Sequence, residues 1–161
     1  MVLQENAVVT FRETLQRDGV RAALRFLNSV STHRFTALFQ FEGGTLRNLH
    51  LVDRDDPAIE RSPDLPVLES YCVYVRNTAK SFSTGDSTND ARVEGHPKQQ
   101  IVQSYCGIPL FNEDGSMFGT LCHFDYAPIP FSNEEAGLLD AVAPLLIKAI
   151  HATEWHPEKG S

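Results

Sequence analysis

The sequence predicts an α+β fold, an antiparallel sheet with the N- and C-terminal helices on one face and a short helix plus loops covering a pocket on the other. Three observations lead there. Val102 to Phe111 and Met117 to Tyr126 are β-rich runs joined by Asn112-Glu113-Asp114-Gly115, a hairpin connection. Phe35 to Phe41 alternates apolar and polar residues and returns, across Gly43-Gly44, as Leu46 to Val52. Both ends of the chain carry apolar residues at helical spacing.

Glu5 to Arg17 places Val8, Phe11 and Leu15 on one face and stops at Asp18-Gly19, where glycine ends the helix and Asp18 is placed to cap the next. The second helix aligns Ala23, Leu24, Leu27 and Val30 before Ser31-Thr32 breaks it. In the following strand Phe35, Ala37, Phe39 and Phe41 share one parity, and Leu38 interrupts the polar one, as expected of a strand covered on both faces. Asp53 to Pro66 loses the apolar pattern and reads as a loop. Val67 to Asn77 is a short helix with Leu68, Cys72 and Val75 on one face, Lys80 to Thr84 a strand, and Gly85 to Gln100 a polar, turn-rich stretch. Ser132-Asn133-Glu134-Glu135 is a capping box opening a helix that carries Leu138, Leu139, Val142, Leu145, Leu146, Ala149 and Ile150. Pro144 is expected to kink that helix, at a cost of about 3 kcal/mol unless packing compensates.

One domain accounts for 161 residues that are 42% apolar and 22% charged. A core of this size needs neither disulfide nor metal to hold it. The net charge of −7 is unevenly spread: residues 1–80 carry ten basic and ten acidic side chains, residues 81–161 four and eleven. That acidity argues against a phosphate-backbone partner for the second half. Three cysteines in apolar segments match the reduced thiols of an intracellular protein. The N-terminus lacks the basic and apolar regions of a signal peptide, and the greasiest window, Ala141 to Ile150, is far shorter than the ~20 residues of a membrane span. The expectation is a cytoplasmic protein with no membrane or nucleic-acid partner.

The segment Ser104-Tyr105-Cys106-Gly107-Ile108-Pro109-Leu110, then Asp114-Gly115, then Phe118-Gly119-Thr120-Leu121-Cys122-His123-Phe124-Asp125, then Phe131-Ser132 before an apolar helix, resembles the C-terminal half of a GAF domain. Leu27-Asn28-Ser29, His33-Arg34-Phe35-Thr36, the Gly-Gly hairpin and the helix with Tyr71-Cys72 resemble the same family upstream. The resemblance covers roughly Val20 to Ile150 and is closest to free-standing bacterial GAF proteins. It divides the chain into an N-terminal helix over residues 1–19, a GAF-like domain over 20–152 and a polar tail over 153–161. It also implies a sensory or regulatory domain without catalytic activity, which binds a small molecule of unknown identity and signals as a homodimer, paired through its terminal helices, or through a partner protein. For that pairing, Phe11, Leu15, Leu138, Leu146 and Ile150 offer more apolar positions than one sheet face needs.

The residues expected at the ligand are Phe39 from the first hairpin, Cys72 from the roofing helix, Asp86 and Arg92 from the variable segment, and Tyr105, Cys106, Cys122 and His123 from the second hairpin. Both strand parities cannot face inward. The reading prefers Cys106 with Cys122 over Tyr105 with His123. The alternative function is a thiol-based redox enzyme or sensor using Cys72, Cys106 or Cys122, like the free methionine-R-sulfoxide reductases of GAF fold. Against it, the loop Asp90 to His96, where those enzymes would carry a reactive cysteine, has none. No cofactor is assigned, and no metal site is expected, because Cys72, Cys106, Cys122, His96 and His123 show no ligand spacing.

Overall fold

The computed structural model describes residues 2–154. Helices α1 (Val2–Asp18) and α2 (Val20–Ser29) lead into the hairpin of β1 (Phe35–Glu42) and β2 (Thr45–Asp53). A two-residue strand β3 (Leu65–Pro66), a 3-10 turn over Val67–Glu69, α3 (Cys72–Thr78) and β4 (Phe82–Thr84) follow. Two more 3-10 turns precede the hairpin of β5 (Ser104–Phe111) and β6 (Met117–Asp125), and α4 (Asn133–Glu154) comes last. All pairings are antiparallel, in the order β3-β2-β1-β6-β5-β4, so the two hairpins meet at the sheet centre.

Local chemistry accounts for the boundaries. Gly19, at φ 93°, turns the chain between α1 and α2, and its carbonyl accepts the Ala23 N–H at 3.1 Å. Asp18 does not cap α2; its carboxylate takes Arg17 at 2.9 Å instead. The capping box forms as expected, with Glu135 N donating to Ser132 Oγ at 3.1 Å and Ser132 N to Glu135 Oε2 at 3.4 Å. The helix then continues through Pro144. The segment expected as one helix, Val67 to Asn77, is divided, because Ser70 is extended at φ −126°, ψ 151° between the 3-10 turn and α3. Leu68 consequently stands out in solvent rather than on the inner face. Within the expected loop Asp53 to Pro66, two residues pair with Thr45 and Leu46 as β3, too short a strand to show alternation. Helix α4 runs through Glu154, and the rest of the expected tail over 153–161 lies outside the described residues.

The sheet is buried on both faces. Behind it α1, α2 and α4 supply Phe11, Leu24, Leu27, Leu139 and Leu146 against Leu38, Ile108 and Leu121. Of the residues read as a surplus for pairing, Phe11, Leu138, Leu146 and Ile150 are buried in this chain's own core, and Leu15 is partly so. In front, Val67, Tyr71, Cys72 and Val75 roof Phe35, Ala37, Phe39, Tyr105 and Cys122. Leu38 breaks the alternation of β1 because that strand faces a core on each side.

Bulges adjust the faces. Leu38 pairs with His50 and Phe39 with Asn48, leaving Leu49 without a partner; Leu110 pairs with Gly119 and Phe111 with Met117, leaving Phe118 so. Both extra residues pack into the helix-side core. Gly119 is required where β1 and β6 approach, since a Cβ there would collide with the Phe39 carbonyl. No helix among the described residues is long and apolar enough to cross a membrane.

Candidate functional site

Between the front face and its roof lies a cavity of about 330 Å³, within the range of small-ligand sites. Its deep wall is Phe35 and Phe39 of β1, Leu51 of β2, Tyr105 of β5, and Cys122 and Phe124 of β6. Tyr71, at the start of α3, closes the roof and donates its hydroxyl to Val102 O at 2.9 Å. Asp64, Lys98, Ile101 and Tyr126 line the solvent end, with Ile101 52% and Tyr126 49% exposed.

The β5–β6 register decides which side chains look inward. Tyr105 pairs with Phe124, Cys106 with His123, and Gly107 with Cys122. Odd positions of one strand therefore share a face with even positions of the other, so Tyr105 and Cys122 face the cavity while Cys106 and His123 face the helices. The preferred pairing of Cys106 with Cys122 is corrected accordingly.

Cys72 lies beneath the cavity wall. Its Sγ is 3.2 Å from both Tyr105 Oη and Thr120 Oγ1, and the residue is fully buried. Burial opposes ionisation of this thiol, but donors from Cys122, Ser70, Thr120 and Tyr105 outweigh it and hold Cys72 below the ordinary thiol value. Burial pushes Cys122 well up, and as the donor to Cys72 it is raised further. Tyr105 is likewise pushed up by burial and remains a donor.

Other expected residues lie away from the cavity wall. Asp86 accepts Thr88 Oγ1 at 3.0 Å and Asn89 Nδ2 at 2.7 Å, closing its own 3-10 turn. Arg92 pairs with Asp90 at 2.6 Å, donates to Ser83 O at 2.7 Å, and lies 4.7 Å from the Phe82 ring centroid, which ties it to β4. Cys106, in the helix-side core, is pushed up by burial to about 12. His123 shares a 2.7 Å hydrogen bond with Thr36 Oγ1, which also accepts Asn28 Nδ2 at 3.0 Å, and burial pushes the imidazole down to about 3. These are structural placements. Phe39, Tyr105 and Cys122 are the expected residues that do line the cavity.

Sequence reasoning passed over Phe35, Tyr71, Lys98, Phe124 and Tyr126, all of which line the cavity. The signal for Phe124 was its pairing with Tyr105, which needs the register. Lys98 sits in an aperiodic loop that His96 fastens: Lys98 N donates to His96 Nδ1 at 3.0 Å, and Nε2 then carries the proton toward Ser70 O at 3.3 Å. Among the described residues no three His, Cys, Asp or Glu side chains converge as a metal site.

A sheet hollow beneath a short helix and backed by terminal helices is the architecture of small sensory and ligand-binding domains. The family model for the GAF domain matches residues 5–150, and the chain belongs to that family. A cyclic di-GMP phosphodiesterase of Pseudomonas aeruginosa is 30% identical over 90 residues, covering 53% of this chain and 15% of that protein. The chain thus spans about a seventh of the curated relative it matches. The GAF domain of an Acinetobacter phosphoenolpyruvate-protein phosphotransferase superposes with a TM-score of 0.76 at 11% identity, over 94% of this chain and 95% of that one. The free methionine-R-sulfoxide reductase of Neisseria meningitidis superposes with 0.76 at 14% identity, over 95% and 91%. At these identities the likeness is one of fold.

Proposed function

We propose that this GAF domain is a non-catalytic small-molecule sensor whose ligand occupies the cavity under α3, and whose occupancy is read at the helix layer by a second copy or another protein. The alternation of β5 and β6 carries the reading. Tyr105 and Cys122 touch the cavity, while their neighbours Cys106, Ile108 and Leu121 pack against the helices, so the same two strands meet both compartments. A ligand that shifts Tyr105 or Cys122 moves backbone that α4 packs on.

Sulfoxide reduction is the weaker reading. Asp90 to His96 supplies no cysteine, Cys106 faces away from the cavity, and the remaining thiols are fully buried. Native mass spectrometry of gently purified protein, followed by heteronuclear NMR with any co-purified metabolite, tests the proposal. The expected result is a stoichiometric adduct whose shift changes centre on Phe39, Tyr105 and Phe124. Turnover of free methionine sulfoxide, or binding confined to the helix side, would overturn it.

A further inference from the structure

Resting on the reading of the cavity as a ligand site, we propose that its ligand is a small monoanion with an aromatic body, its acidic group paired with Lys98 and its ring among Phe35, Phe39, Tyr105 and Phe124.

Among the described residues, two charged side chains line the cavity, Asp64 and Lys98. They are not equivalent. Asp64 Oδ1 already accepts the Asn48 N–H at 3.0 Å, which fastens the carboxylate to β2. The Lys98 ammonium has no ion pair and no hydrogen bond among the described residues, although its backbone is held at three points. Its N–H donates to His96 Nδ1 at 3.0 Å, and its carbonyl accepts Ile101 N at 2.9 Å and Val102 N at 2.8 Å. A fixed backbone carrying a half-buried, unpaired cation at the end of an apolar cavity is a receptor for one negative charge. The guanidinium of Arg34 also stands 4.7 Å from the Phe35 ring centroid and 5.5 Å from that of Tyr126, but Asp53 matches its charge through bonds of 2.7 and 3.0 Å.

The body of the ligand follows from the walls. Among the described residues, six that line the cavity are aromatic, whereas Ser62 and Ser70 supply the lining hydroxyls outside the tyrosines. Phe35 and Phe124 stack at 4.8 Å, and Tyr126 meets Phe35 edge-on at 5.0 Å, leaving ring faces and edges for a flat apolar guest. A volume of about 330 Å³ admits one ring or two fused rings with a short acidic arm.

Calorimetry on the full chain with four probes sharing one ring tests this: indole-3-acetate (anion), indole-3-acetamide (neutral), tryptamine (cation) and tryptophan (zwitterion). Indole-3-acetate is expected to bind best, at least about tenfold tighter than the acetamide, the ratio a charge-assisted hydrogen bond supplies. Lys98→Met is expected to erase that ratio, and Lys98→Arg to keep it. Equal binding of acetate and acetamide, tighter binding of tryptamine or tryptophan, or a preference that survives Lys98→Met would overturn the monoanion and leave the cavity reading standing. No binding of any of the four would overturn the aromatic monoanion, while a co-purified metabolite found in the cavity by native mass spectrometry would still uphold the cavity reading.

Discussion

The hydroxyl of Tyr105 reaches the sulfur of Cys72 at 3.2 Å by lying across its own strand over Gly107. A Cβ at residue 107 would occupy the position of the phenol. The glycine is thus part of the cavity wall through the ring it admits.

Gly107→Ala is therefore expected to displace Tyr105 and destabilise the domain by about 1–3 kcal/mol, the usual range for overpacking. Urea denaturation measures it. In a Tyr105→Leu background, where nothing lies over the strand, the same substitution is expected to cost much less. An equal cost in both backgrounds would show that the phenol is not what the glycine accommodates.

The thiols should be protected by the fold. All three are buried, and burial pushes Cys106 up to about 12 and Cys122 well up, whereas Cys72 is held below the ordinary thiol value. Limited alkylation at pH 8 with peptide mass spectrometry is expected to spare Cys106 and Cys122 in the folded protein, to modify Cys72 first where local opening admits reagent, and to modify all three on unfolding. Native-state labelling of Cys106 at the rate of Cys72 would contradict the burial assignment.

Burial holds His33 and His123 below the ordinary histidine value, His123 at about 3, and Glu135 opposes the shift at both. In the window between about pH 6.5 and 3 the unfolded chain binds more protons than the folded one, so stability falls as pH falls. It is fully present above about pH 6.5. The contribution of His123 is expected to approach roughly 1.4 kcal/mol per pH unit in that window. His50 and His96 shift in the same direction, so the comparison is with His123→Asn, whose urea midpoint should vary less between pH 7 and 5.

Thr36→Val keeps the shape at the sheet centre but removes the hydroxyl that joins Asn28 to His123. Two buried polar groups lose a partner, and a destabilisation of about 1–3 kcal/mol is expected by thermal unfolding at neutral pH. Ser132→Ala, which removes only the cap of α4, should cost about 1 kcal/mol.

The hairpins, the terminal helices and the capping box were legible because each rests on short-range chemistry: Gly43-Gly44, Asp114-Gly115, apolar spacing, Ser132 with Glu135. The inward face of the second hairpin was not. Alternation tells which residues of one strand share a face, but relating Tyr105 to Cys122 needs the register, and the bulge at Phe118 further disrupts alternation. Lys98, Ile101 and Tyr126 lie outside regular elements and carry no periodicity to read. Asp86 and Arg92 looked available because each is a charge in a variable segment, yet their partners are two or three residues away, a local satisfaction that composition does not show.

The sheet ends in strands of two and three residues, β3 and β4, and the first of these contains Pro66. Beyond β3 the flank of β2 is occupied, since Leu51 N donates to Glu60 O at 2.8 Å and Asn48 N to Asp64. Little free main chain is left on that border for a foreign strand to extend. Lateral growth into fibrils by strand addition is thereby discouraged, even though the chain builds its centre from some of its most β-prone segments.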